Sequence, residues 1–285
     1  MRFQRNGAAA ALLVYSILAT ACVHTAAGNR TSSFTRKTQS GSDPLKDDSR
    51  IQSLEAEVRA NPKNLAARLE LAGLYEGYHA FDQALSHYTE ILLAEGPNVS
   101  DEVTSGLRRA SEGSGRSTEA IPFLEAFLKT SPSANAWNDL ALLYDGVGNH
   151  AAGEKALREA LDLNAESVRF HNNLGYNLEL QNRLEDAEQE YRSALTLNPE
   201  FAAARNNLGA LLGRRGNVAG ALEQFNLAGD AAAAHNNLAV VLIDAGLYEQ
   251  SREELMKALE IRQQFAPALE NLKLVQERLR ERASK

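Results

Sequence analysis

Five polar residues, Asp139, Asn173, Asn207, Asn237 and Asn271, each stand immediately before a leucine, and four of them follow a second amide, Asn138, Asn172, Asn206 and Asn236. A side-chain amide presents a donor and an acceptor together, which is what a peptide group requires of a partner. The chemistry open to such a series is hydrogen bonding to another chain rather than bond making or breaking. An asparagine inside a helix costs up to ~0.7 kcal/mol relative to alanine. A choice repeated at this spacing therefore needs a compensating contact.

The remaining reactive residues do not assemble into a catalytic pattern. The six histidines, His24, His79, His87, His150, His171 and His235, show no paired ligand spacing with cysteine or carboxylates. The letters of Gly146-Val-Gly148-Asn-His150-Ala151 fit a dinucleotide fingerprint. They follow the helical pattern "NDLALLYD", whereas the fingerprint requires a strand, so an inter-helix turn is expected there. No nucleophile elbow is present. The expectation is a chain with no enzymatic activity, no cofactor and no metal site.

The elements that must position the amides are set by the leucines. Leu71, Leu107, Leu140, Leu174, Leu208, Leu238 and Leu272 succeed one another at intervals of 36, 33, 34, 34, 30 and 34 residues. Most are followed by alanine or glycine, and helical hydrophobic periodicity runs from about Ser49 onward. Individual units repeat a wider set. One supplies Trp137, Leu140, Ala141, Tyr144, Gly148, Ala160 and Leu161, and the next Leu174, Gly175, Ala187, Tyr191, Ala194, Leu195 and Pro199.

This pattern resembles the tetratricopeptide repeat, a helix-turn-helix unit of ~34 residues. The resemblance implies an all-α fold, a right-handed superhelical solenoid of about six repeats with a C-terminal capping helix. In the capping helix Leu269, Leu272 and Val275 are expected to face inward, and Arg278, Arg280, Glu281 and Arg282 to face water. The unit around "SGLRRASEGSG" departs from the pattern, with Ser111 where tyrosine is usual and three glycines, Gly106, Gly113 and Gly115. Its first helix is expected to be the least stable, and Pro122 to fall near the first turn of the next helix. The interval of 30 is expected to remove one turn from a second helix.

The same resemblance gives the amides a location. The residue before the leucine is rotated about 100° around the helix, and in tetratricopeptide domains that direction is the concave face. Asp139, Asn173, Asn207, Asn237 and Asn271 are thus expected in file along a peptide-binding groove, with Asn138, Asn172, Asn206 and Asn236 at its margin. The file resembles the asparagine ladder of O-linked N-acetylglucosamine transferases, in which amides hold the backbone of an extended peptide. Packed helices ~8–10 Å apart would meet about every third residue of a chain advancing ~3.3 Å per residue. The bland alternative is a purely structural ladder. The carboxylate clamp of chaperone-binding repeats is not expected. Arg169 and Arg205 are present, but lysines are absent where Asn138, Asn172 and Asn206 stand.

Residues 1–21 read as a signal peptide, with Arg2 and Arg5 ahead of an apolar run from Ala8 to about Ala19, too short to span a bilayer. "LATAC" resembles the lipobox of bacterial lipoproteins, with Ala19 where leucine is usual, and implies that Cys22, the only cysteine, is lipidated. Residues 22–48 are rich in Ser, Thr and Gly and are expected to form a flexible tether. Residues 49–285 are expected to form the solenoid.

Loss of Arg2 and Arg5 leaves 28 basic against 37 acidic residues, a formal charge of −9. That balance argues against nucleic acid or an anionic lipid surface as partner, so the acyl group would hold the chain at a membrane. No inner-membrane retention aspartate follows Cys22, and the resemblance implies the outer membrane, facing the periplasm.

The function expected from sequence is a lipid-anchored scaffold of the cell envelope that takes an extended protein segment in its groove. The alternatives are a pilotin-like assembly lipoprotein for pili or secretins, and an adaptor for cell-wall hydrolases. The oligomeric state is open.

Overall fold

The computed structural model describes residues 44–284. The leader, Cys22 and most of the tether lie outside them. The described residues contain fifteen α-helices, one short 3-10 turn at Gly96–Asn98 and no strands. They fall into two compact units, one ending at Asn182 and one starting at Arg183.

The first unit contains α1 (Pro44–Asp47), α2 (Ser49–Ala60), α3 (Leu65–Gly77), α4 (Phe81–Glu95), α5 (Asp101–Gly113), α6 (Ser117–Thr130), α7 (Ala134–Gly146), α8 (His150–Leu163) and α9 (Val168–Leu180). The second contains α10 (Leu184–Leu197), α11 (Ala202–Arg214), α12 (Val218–Leu227), α13 (Ala231–Asp244), α14 (Tyr248–Ile261) and α15 (Ala266–Ala283). Pro44–Asp47 belongs to the stretch read as tether. Asp48 at its end caps α2 by accepting from the backbone of Arg50 and Ile51.

Antiparallel pairs follow from the periodicity. The repeat leucines sit on the first helix of each pair, called here the A helix, and Leu71, Leu107, Leu140, Leu174, Leu208 and Leu238 are all buried. The small residue that follows admits the partner helix. A methyl group on Gly209 of α11 would come within 2.7 Å of the Phe225 ring of α12. The glycines of α5 have the same use. A Cβ on Gly106 would lie 2.3 Å from the Tyr88 ring, and one on Gly113 would lie 2.5 Å from Phe81, so α4 seats these two rings against bare backbone. These two glycines are close-packing points.

Each A helix that is followed by a partner helix is closed by the same device. His79, Gly115, Gly148, Asn182, Gly216 and Gly246 adopt left-handed backbone conformation. Wrapped bonds such as Ala80 N to Tyr75 O and Asn149 N to Tyr144 O, both 2.8 Å, then satisfy the last carbonyls. The glycine-rich stretch at 146–151 is thus an inter-helix turn, in which Asn149 caps α8. The return turns are set by caps as well, Asn64 and Ser133 accepting from Ala67 N and Ala136 N.

Helix α12 has 10 residues where α8, α10 and α14 have 14, which is the missing turn expected from the short interval. Two expectations need correction. Pro122 is the sixth residue of α6, beyond the first turn, so that helix forgoes a hydrogen bond to Thr118. In α15 the inward stripe is Ala268, Asn271 and Val275, flanked by Leu272 and Leu279. Leu269 lies one position off that stripe and is 40% exposed. Arg282 stacks over the Tyr248 ring at 4.5 Å, so its guanidinium covers an aromatic face.

Candidate functional site

Asparagine side chains on the A helices bond from one repeat to the next. In the first unit Asn173 Nδ2 of α9 donates to Asn138 Oδ1 of α7 at 2.7 Å. In the second, Asn237 donates to Asn206 at 3.2 Å and Asn271 to Asn236 at 3.0 Å. In all three pairs the same rule holds: the residue before the leucine donates to the residue two before the leucine in the preceding repeat.

Asp139 obeys the rule with donor and acceptor exchanged. A carboxylate has no hydrogen to give, so the preceding helix α5 supplies the donors. Thr104 Oγ1 and Ser105 Oγ donate to Oδ2 at 3.0 and 2.9 Å, and Arg108 Nε donates to Oδ1 at 3.1 Å. Arg108 also pairs with Glu112 at 2.6 Å. Burial pushes the Asp139 carboxyl above the usual range, opposed by the Arg108 guanidinium and the two hydroxyls.

Depth separates the residues further. Asn138, Asn172 and Asn236, read as margin positions, are 2–4% exposed, and Asp139, Asn207 and Asn271 are 3–7% exposed. Asn173, Asn206 and Asn237 are half-buried. The structure thus brings 138 to 173, 206 to 237 and 236 to 271. Of the amides in this series, those open to solvent are Asn173, Asn206 and Asn237.

Sequence reasoning missed the partners of Asp139. Ser105 precedes Asp139 by 34 residues, one repeat period, so an offset alignment of the repeats would have set a hydroxyl donor opposite the one acidic member of the series. It also missed Asn177, fully buried, whose amide donates to Asp145 Oδ1 at 2.6 Å and to the His150 carbonyl at 2.9 Å. His171 and His235 are half-buried and bonded, to the Ala165 carbonyl and to Glu254.

Among the described residues no group of three His, Cys, Asp or Glu could hold a metal ion. No helix there is long and apolar enough to cross a membrane.

Residues 138–199, 181–229 and 232–265 match family models described as tetratricopeptide repeat. No curated protein matches the chain. Among solved structures the fold is similar to a tetratricopeptide repeat protein from Parabacteroides merdae, at 19% identity, covering 79% of this chain and 91% of that one with a TM-score of 0.59. It is also similar to a chain of the APC/C hetero-tetramer Cut9–Hcn1, at 17% identity and TM-score 0.55. The match covers 79% of this chain but only 45% of that one. A third likeness is to the human IFIT1 dimer with PPP-AAAA, at 18% identity, 85% and 63% coverage and TM-score 0.55. The chain therefore carries tetratricopeptide repeats, and its fold is the all-α stacking of their helix pairs.

Proposed function

We propose that the chain is a protein-binding scaffold that takes an extended segment of a partner along its A helices, held at the membrane by an acylated Cys22. One observation carries the binding reading. Asn173 and Asn237 are half-buried and each spends an amide hydrogen on the neighbouring repeat, which fixes the orientation of a group that retains further hydrogen-bonding capacity. A pre-oriented amide loses less freedom on meeting a peptide group than a mobile one. The anchor reading rests on Arg2, Arg5, the apolar run and the "LATAC" sequence, and with it goes a place at the outer membrane facing the periplasm.

The test is cross-linked capture from the envelope fraction by the wild-type chain and by Asn173→Ala combined with Asn237→Ala, with helicity measured on both. Loss of one captured protein at unchanged helicity supports the reading. Equal capture leaves the amides as ties between repeats only. For the anchor, Cys22→Ser should move the protein from the membrane to the soluble fraction. Retention at the membrane would refute it.

A further inference from the structure

A buried carboxyl inside the first unit has a role that the surface of the A helices does not explain. Asp145 is the next-to-last residue of α7, where the negative end of the helix dipole disfavours a carboxylate. Its side chain is 7% exposed. Oδ1 lies 3.0 Å from His150 Nδ1 of α8 and accepts from Asn177 Nδ2 of α9 at 2.6 Å, whereas Oδ2 is buried with no hydrogen-bond partner.

The surrounding atoms are fixed. Asn177 spends both amide hydrogens, on Asp145 and on the His150 carbonyl, and its oxygen accepts from Gln181 at 2.7 Å. Gln181 in turn donates to Glu154 Oε2 of α8 at 3.0 Å. Gly153 of α8 completes the enclosure. A Cβ there would come within 2.7 Å of Asp145 Oδ1 and 2.8 Å of Asn177 Nδ2, so only glycine leaves room for the carboxyl.

We propose that Asp145, His150 and Asn177 form a proton-operated latch, in which a proton on Asp145 Oδ2 seats α9 against α7 and α8 and its loss loosens that junction. An ionised Asp145 would bury a charge with one oxygen unpaired, the arrangement that costs most in a dry interior. The protonated acid removes the charge and leaves only one hydroxyl unpaired. From α8 the titratable groups facing it are His150 and, through Gln181, Glu154. From α9 the facing side chains are the uncharged Asn177 and Gln181.

Burial raises the carboxyl above the ordinary aspartate range, opposed by His150 and Asn177. Because the folded value exceeds the unfolded one, the stability that the group contributes is complete below the ordinary range and is lost as pH climbs through the elevated value. The latch closes in acid and opens toward neutral pH. It does not depend on what the A helices bind.

Two measurements test it. The Asp145 Cγ resonance of the wild-type chain, followed by NMR, should titrate above the ordinary value of about 4. Hydrogen-exchange protection of α9 relative to α13 should fall between acid and neutral pH, by about tenfold for each unit of elevation. Asp145→Asn should abolish that fall. A carboxyl that titrates in the ordinary range, or an unaltered pH dependence in Asp145→Asn, would overturn the latch. Should that variant fail to fold, the wild-type titration decides alone.

Discussion

The Nδ2 of Asn173 lies 2.7 Å from the Oδ1 of Asn138, a residue 35 positions earlier in the chain and one repeat away. Helix pairs in a solenoid stack chiefly through apolar contacts between neighbours. Here a polar side chain also fixes how one A helix registers against the next, in both units.

These ties should differ in strength with depth. Asn271→Ala leaves the buried Asn236 carbonyl without its donor and should cost about 1–3 kcal/mol. Asn237→Ala frees Asn206, which water can reach, and should cost about 0.5–1.5 kcal/mol. Urea denaturation of the two variants checks the order, and a larger loss for Asn237→Ala would contradict it.

The left-handed turn positions give a prediction of opposite sign for two residue types. His79 and Asn182 hold φ of 59°, the conformation that Gly148 and Gly216 adopt at equivalent turns. A left-handed residue with a Cβ costs about 1–2 kcal/mol, less for asparagine, and the greater freedom of glycine when unfolded returns part of that. His79→Gly should therefore stabilise by about 0.5 kcal/mol net, also losing its edge contact with Phe81. Gly216→Ala should destabilise by about 1–2 kcal/mol. Thermal denaturation reads both signs.

A pair of helical glycines separates packing from propensity. Gly106 faces the Tyr88 ring, so Gly106→Ala should overpack α4 against α5 and cost about 1–3 kcal/mol. Gly73 lies inside α3 with nothing within 4 Å of its would-be Cβ, and Gly73→Ala should gain about 0.5–1 kcal/mol. Equal effects in chemical denaturation would mean that the Tyr88 contact does not govern Gly106.

What sequence made legible was whatever a single repeat specifies by itself. Leu140 and Leu208 are buried where the period places them, and the ten-residue α12 follows from one short interval. Contacts that need two repeats in register stayed hidden. Nothing local to Asn173 says that its amide reaches Asn138, and nothing local to Asp139 names Thr104, Ser105 and Arg108 as its donors. The asparagine and aspartate positions were visible, but their depth was not, because rotation about one helix fixes a direction and not how closely the next helix covers it. Leu269 shows the same limit at the chain's end, where a shift of one position moved the apolar stripe to Ala268.

The Arg108–Asp139 pair should reveal itself through pH. Asp139 is buried and Arg108 largely covered, at 4% and 12% exposed, so removing the arginine strands the carboxyl. Arg108→Ala should cost about 3–5 kcal/mol near neutral pH. Asp139 is already raised by burial with the guanidinium beside it, and loss of that charge raises it further. A folded value above the unfolded one means that stability is full below the ordinary aspartate range and falls as pH rises through the elevated value. The deficit of Arg108→Ala relative to wild type should therefore grow from pH 4 to pH 8. Denaturation curves at the two pH values measure it, and a deficit that does not change with pH would show that the Arg108 guanidinium does not hold the Asp139 carboxyl down.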